Sequence, residues 1–179
     1  VNGKVTFKGT APKTAKIKMN ADAKCMAANK GDVYNESIVV NGNGTLKNVF
    51  VYVKTGLEGK TFPTPTTPVV IDQVGCHYVP HVFGAMVNQP LEIRNSDDTL
   101  HNIHAMPKNS AQFNLGMPKK GMVMTKKFDK QEVAVRVKCD VHPWMGAFVG
   151  VTTNPYFAVS DDKGSFEVKD LPAGKYTVE

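Results

Sequence analysis

Cys139-Asp140-Val141-His142-Pro143-Trp144-Met145 concentrates more metal-binding chemistry than any other run of the chain. A thiol, an imidazole and a thioether fall within seven residues, directly after Glu132–Lys138. That preceding run has the length and β-branched content of a strand. A loop leaving a strand end can curl the three side chains around one point. Soft thiolate and thioether donors beside an imidazole select copper, and two histidines, one cysteine and a weak axial methionine are the ligand set of a type 1, or blue, electron-transfer centre. That set needs a second histidine from elsewhere. His101, in Asn95-Ser-Asp-Asp-Thr-Leu-His101-Asn102-Ile103-His104, is the candidate. The bland alternative is a buried core thiol beside two ordinary loop residues. Zinc is the rival metal, but it recruits paired cysteines or more histidines, and only Cys139 has a histidine at ligand spacing.

Outward from this loop, almost every segment reads as strand. Val1–Lys8, Ser37–Val40 and Asn48–Lys54 alternate apolar and polar residues. Pro68–Asp72, Gln89–Arg94, Gly121–Phe128, Ala147–Thr152, Tyr156–Ser160, Ser165–Val168 and Tyr176–Glu179 are further candidates. Turn residues separate them at Asn41-Gly-Asn-Gly44, Asp162-Lys-Gly164 and Pro172-Ala-Gly174. Helix signal is confined to one or two turns within Asn20–Ala28. Many short strands with frequent turns predict an all-β sandwich or barrel. Three zones are expected: an N-terminal β region over 1–75 ending in the proline-rich link Phe62–Pro68, a central zone over 76–153, and a strand–turn–strand tail over 154–179.

The 179 residues suffice for a buried core, and 41% hydrophobic with 21% charged residues is a globular composition. No apolar run approaches the ~20 residues of a membrane helix. Val1 opens without a charged-then-apolar leader, so a signal peptide is expected to be absent or removed. Glu179 falls inside an apparent strand, so the native chain is expected to continue. Lys+Arg 22 against Asp+Glu 16 gives +6. Much of the excess lies between His101 and Asp140, at Lys108, Lys119, Lys120, Lys126, Lys127, Lys130, Arg136 and Lys138. This reads either as a solvated face or as a docking surface for an acidic partner. No phosphate loop, zinc-finger spacing or aromatic RNA motif accompanies the lysines, so nucleic acid is not expected.

A His-Asn dipeptide about forty residues before Cys-x-x-His-x-x-Met resembles the plastocyanin-like cupredoxin pattern, and the short loop Cys139-x-x-His142-Pro143-Trp144-Met145 is similar to that of amicyanin. The resemblance covers roughly residues 80–153. It implies a Greek-key cupredoxin β-sandwich holding one type 1 copper on His101, Cys139, His142 and Met145. It further implies that Asn102 braces the loop, that His142 lies near the surface as the electron port, and that Pro143 and Trp144 form an apolar patch around it. His104 would point to the opposite strand face, and His77 and His81 read as polar loop residues or as the rim of a second site. Cys25 and Cys76 are then free to pair as a disulfide or to remain two buried thiols; pairing would imply an oxidising compartment, periplasmic or extracellular. The front strand and the tail, with Asp161-Asp-Lys-Gly164-Ser-Phe166 and Leu171-Pro-Ala-Gly174-Lys-Tyr176, resemble carboxypeptidase regulatory-like β segments.

The expected function is electron transfer without bond chemistry on a substrate, to a redox partner such as a c-type cytochrome or a membrane redox complex. The alternative is a structural or assembly subunit of such a complex with a vacant cupredoxin frame. A copper chaperone, drawing on the eight methionines, ranks third. No Gly-x-Ser-x-Gly elbow or paired carboxylates mark a hydrolase.

Overall fold

The computed structural model describes residues 1–179. Its strands are β1 (Asn2–Lys4), β2 (Val39–Val40), β3 (Leu46–Lys47), β4 (Phe50–Thr55), β5 (Val69–Val74), β6 (His77–Val79), β7 (Val82–Met86) and β8 (Leu91–Asn95). They continue with β9 (His101–Met106), β10 (Phe113–Met117), β11 (Val123–Lys126), β12 (Glu132–Lys138), β13 (Gly146–Thr152), β14 (Phe157–Val159), β15 (Ser165–Glu167) and β16 (Thr177–Val178). One helix, α1 (Ala23–Ala28), lies within the region where a turn or two was expected. It is too short to cross a membrane.

Two sheets enclose the core, in the orders β10-β9-β12-β13-β7 and β11-β8-β5-β6. Their pairings are antiparallel except β13 with β7 and β5 with β8. Side chains alternate across a strand, so every second residue faces the core. Leu91 and Ile93 of β8 are buried while Glu92 and Arg94 point outward. Val135 and Val137 of β12 and Ala147, Val149 and Val151 of β13 form further buried rows. The same period carries His101, Ile103 and Ala105 of β9 inward, all fully buried. It also makes Cys139 the next member of the β12 row. The antiparallel register Val137↔Ala105 brings the start of β9 and the end of β12 to one end of the sheet. His101 and Cys139 therefore terminate two adjacent core rows.

The first and last stretches of the chain pair with each other. β1 pairs with β15, and β4 lies between β14 and β16. β5, although its residues precede position 76, belongs to the sandwich. Phe50 and Phe157, ring centres 5.7 Å apart, pack on bare backbone where Gly84 of β7 pairs with Gly150 of β13. A Cβ at Gly150 would lie 2.2 Å from Phe50 Cζ, so only glycine admits the ring. The expected strand over Val1–Lys8 is shorter: β1 ends at Lys4, followed by a lone bridge from Thr6 to Thr45.

Residues 16–34 cover the end where His101 and Cys139 lie, with little regular structure. Ile17 N–H donates to Val33 O, and Ile17, Met19 and Val33 pack on the core. Asp22 caps α1 by accepting from the N–H groups of Lys24 and Cys25. Cys25 and Cys76 are joined by a disulfide. Cys76 sits with Gly75 in the two-residue turn between β5 and β6, both at positive φ (58° and 62°), as a primed hairpin turn requires.

Candidate metal centre

His101, Cys139 and His142 bring one donor atom each within 4.8 Å of one another, and all three side chains are buried. They form a His₂Cys cluster compatible with a type 1 copper site. His101 Nδ1 lies 3.0 Å from His142 Nδ1, and Cys139 Sγ lies 3.9 Å from the same His142 nitrogen. Met145, 1% exposed, closes the loop: its N–H donates to His142 O and its carbonyl accepts from Cys139 N–H. Cys139 is the free cysteine.

The outer ring nitrogens decide what the inner ones can do. His101 Nε2 is 2.9 Å from Asp97 Oδ2, and His142 Nε2 is 3.1 Å from Asp22 Oδ2. A carboxylate only accepts, so each Nε2 carries the proton and each Nδ1 presents a lone pair. Burial pushes His101 down, favouring its neutral form. Asp22 is held down to about 2, chiefly by the Cys25 N–H and also by the His142 ring. Two bare nitrogen lone pairs 3.0 Å apart beside a thiol repel unless a cation or a proton lies between them. The donor set thus fits a soft-to-borderline metal, and copper matches its chemistry.

Asn102, on the outer face of β9, reaches across to the loop. Its Oδ1 accepts from Asp140 N–H at 2.7 Å and from Cys139 Sγ at 3.2 Å. Its Nδ2 donates to Asn114 Oδ1 at 2.7 Å and Asp140 Oδ2 at 3.1 Å. Lys138 and then Asn114 hold the Asp140 carboxyl far below the usual carboxylate range. The Tyr78 hydroxyl donates to Asn102 O, and burial pushes its pKa upward. His142 N–H donates to Cys139 Sγ at 3.4 Å.

The surface position expected for His142 is corrected by the structure. Its side chain is 3% exposed, because Asp22, the Cys25 sulfur at 3.7 Å from Nε2, and Trp144 cover it. Trp144 is half-buried, its ring centre 5.0 Å from that of His142 and its Nε1–H donating to Cys76 O. Pro143 is exposed. The lysines are divided between the two ends of the strands. Lys138 lies at the site end, paired with Asp140, and Lys120 lies close enough to Asp98 to lower its pKa. Lys108 and Lys130 lie at the far end, where β12 begins and Glu132 and Ser110 accept their N–H groups. His104 points away from the cluster to Asp140, and His81 Nδ1 lies 2.8 Å from Gly146 O. His77 is half-buried and stands outside the cluster. Asp22, Asp97 and the covering segment were not foreseen; Asp97, four residues before His101, was the nearest available signal.

No protein-family model matches the chain, and no curated protein matches it. Among solved structures, it is similar to a Cu(I) amicyanin variant, with 21% identity over 46% of this chain and 80% of that one at a TM-score of 0.41. It is also similar to a purple cupredoxin from Nitrosopumilus maritimus, with 25% identity over 42% and 82% at 0.37. A copper-containing nitrite reductase from Thermus scotoductus SA-01 shares 21% identity over 57% of this chain and 25% of that one at 0.42. The architecture, two mostly antiparallel sheets in the orders given above, is predominantly β. What the cluster can hold is decided by its own donor atoms.

Proposed function

We propose that the protein is a one-electron carrier built on one type 1 copper, held by His101, Cys139, His142 and Met145. The observation that carries this reading is the pair of Nδ1 atoms facing each other 3.0 Å apart beside Cys139 Sγ, all three side chains buried. When bound, copper supplies a one-electron couple at a site that need not rearrange. The chain's part is to hold the donors still. Asn102 fixes the loop, the core rows of β9 and β12 fix His101 and Cys139, and the covering segment keeps water from His142. No bond of a substrate is made or broken. Since His142 is covered, the electron's way to the surface runs through the half-buried Trp144 ring. The partner is a redox protein with an acidic face, such as a c-type cytochrome or a membrane redox complex, meeting the lysines at the site end. The disulfide favours an oxidising compartment, periplasmic or extracellular. We read the flanking sheets as a scaffold.

The test is the absorption spectrum of the copper-loaded, oxidised protein. An intense thiolate-to-copper band that Cys139→Ser abolishes supports the reading. A chain that takes up no Cu(II), or takes it up without that band, contradicts it.

A further inference from the structure

Both histidines of the cluster are held in the same way, and the two holds share one anchor. Asp22 accepts from Cys25 N–H at 3.0 Å, and its other oxygen accepts from His142 Nε2 and from the Thr99 hydroxyl. Asp97 accepts from Cys76 N–H at 2.7 Å and Gly75 N–H at 2.8 Å, and from His101 Nε2. Cys25 and Cys76 are the two halves of one disulfide. Each half-cystine therefore fastens, through its own backbone N–H, the carboxylate that fastens one ring. The two carboxylates reach the site from segments 75 residues apart in the chain, and only the disulfide ties those segments together covalently.

A carboxylate on the outer N–H of a metal-bound imidazole fixes the tautomer and makes the inner nitrogen a stronger donor. Two such carboxylates and a thiolate also place three negative charges around the ion position. Both effects stabilise the more highly charged ion. On the copper reading above, we propose that Asp22 and Asp97 are positioning residues, anchored by the Cys25–Cys76 bridge, that hold His142 and His101 as Nδ1 donors and bias the site toward Cu(II). The reduction potential of the site is then lowered by Asp22 of the covering segment and Asp97 of the β8–β9 loop, beyond what the ligands set.

The test is redox titration of copper-loaded Asp22→Asn. Asparagine caps a helix as well as aspartate and still offers a neutral oxygen to His142, so the variant removes mainly charge. Loss of such a partner typically costs ten- to a hundredfold in metal affinity. A tenfold loss confined to Cu(II) raises the potential by about 59 mV for one electron. Asp98→Asn is the control, since Asp98 is an exposed carboxylate of the same end, paired with Lys24 and not with either histidine. A rise in Asp22→Asn well beyond that of Asp98→Asn is expected. A wild type with the thiolate-to-copper band whose Asp22→Asn potential moves no more than the control overturns this inference and leaves the copper reading standing. A wild type without copper uptake overturns both. Should Asp22→Asn fail to fold, redox titration of copper-loaded Asp97→Asn against the same control decides: a rise well beyond that of Asp98→Asn is expected, and a potential that moves no more than the control overturns the inference.

Discussion

The flanking sheets and the covering segment are both added to the same sandwich, and they are attached in opposite ways. The flank adheres through apolar area. Phe50 and Phe157 lie on the bare backbone of Gly84 and Gly150, while the pairing of β1 with β15 and of β4 with β14 and β16 holds the flank together within itself. The cover packs Ile17, Met19 and Val33 on the core as well, but over the site it adds directional links: one disulfide, the Asp22 carboxylate on His142 and Thr99, and the Asn29 amide on Gly75 O. Apolar contact fixes where mass sits but tolerates small displacement. Directional links fix single atoms. The cover is attached in the second way at the end where atom positions matter, over His101 and His142.

That contrast can be broken from either side. The largest effect is expected from replacing both Cys25 and Cys76 by serine. The bridge closes a sequence separation of 51, which the chain-entropy treatment values at about 4 kcal/mol. Denaturant unfolding followed by the fluorescence of Trp144, the one tryptophan and a hydrogen-bond donor to Cys76 O, is predicted to show this loss. A midpoint unchanged from wild type would mean that the cover is held by something other than its directional links.

A smaller loss is expected from Gly150→Ala. The new methyl would meet Phe50 Cζ at 2.2 Å, and overpacking of this kind costs about 1–3 kcal/mol. The flank should loosen while the copper spectrum stays as in wild type. A spectrum altered as strongly as the stability would show that flank and site are not separately attached.

The mildest perturbation is acid. Glu179 is held below its ordinary range by Lys54 and then Tyr52, and Asp161 by the Ser165 and then Lys163 N–H groups; Asp22 is held down to about 2. A carboxyl whose folded value is lowered stabilises fully above its unfolded value and loses that contribution as pH falls through the folded one. Thermal melting temperatures of the metal-free protein should therefore fall progressively from about pH 4 toward pH 2. Melting temperatures that rise over that window would contradict these assignments.

Much of the sandwich and the donor set is legible in the residues themselves. Glu132–Lys138 alternates and is rich in valine, and the observed β12 has those same bounds. The spacing of Cys139, His142 and Met145 needs no tertiary information, because one loop carries all three. β9 and β10 are harder to read. His101-Asn-Ile-His-Ala-Met106 puts polar residues on both faces, and Phe113-Asn-Leu-Gly-Met117 contains a glycine that weakens strand propensity. The cover was out of reach for a different reason. Asp22 meets His142 across 120 residues, a contact that no local pattern encodes. The expectation of an exposed His142 failed on that contact. The lysines divide because neighbours along the chain stand at opposite ends of the strands that separate them.

The Cys139 sulfur is the atom on which a type 1 copper at this site depends most. Titrating the protein with Cu(II) under oxidising conditions and recording its absorption spectrum should give one equivalent of copper and an intense thiolate-to-copper band, absent in Cys139→Ser. A colourless wild-type chain at full Cu(II) occupancy, or one indistinguishable from Cys139→Ser, would contradict it.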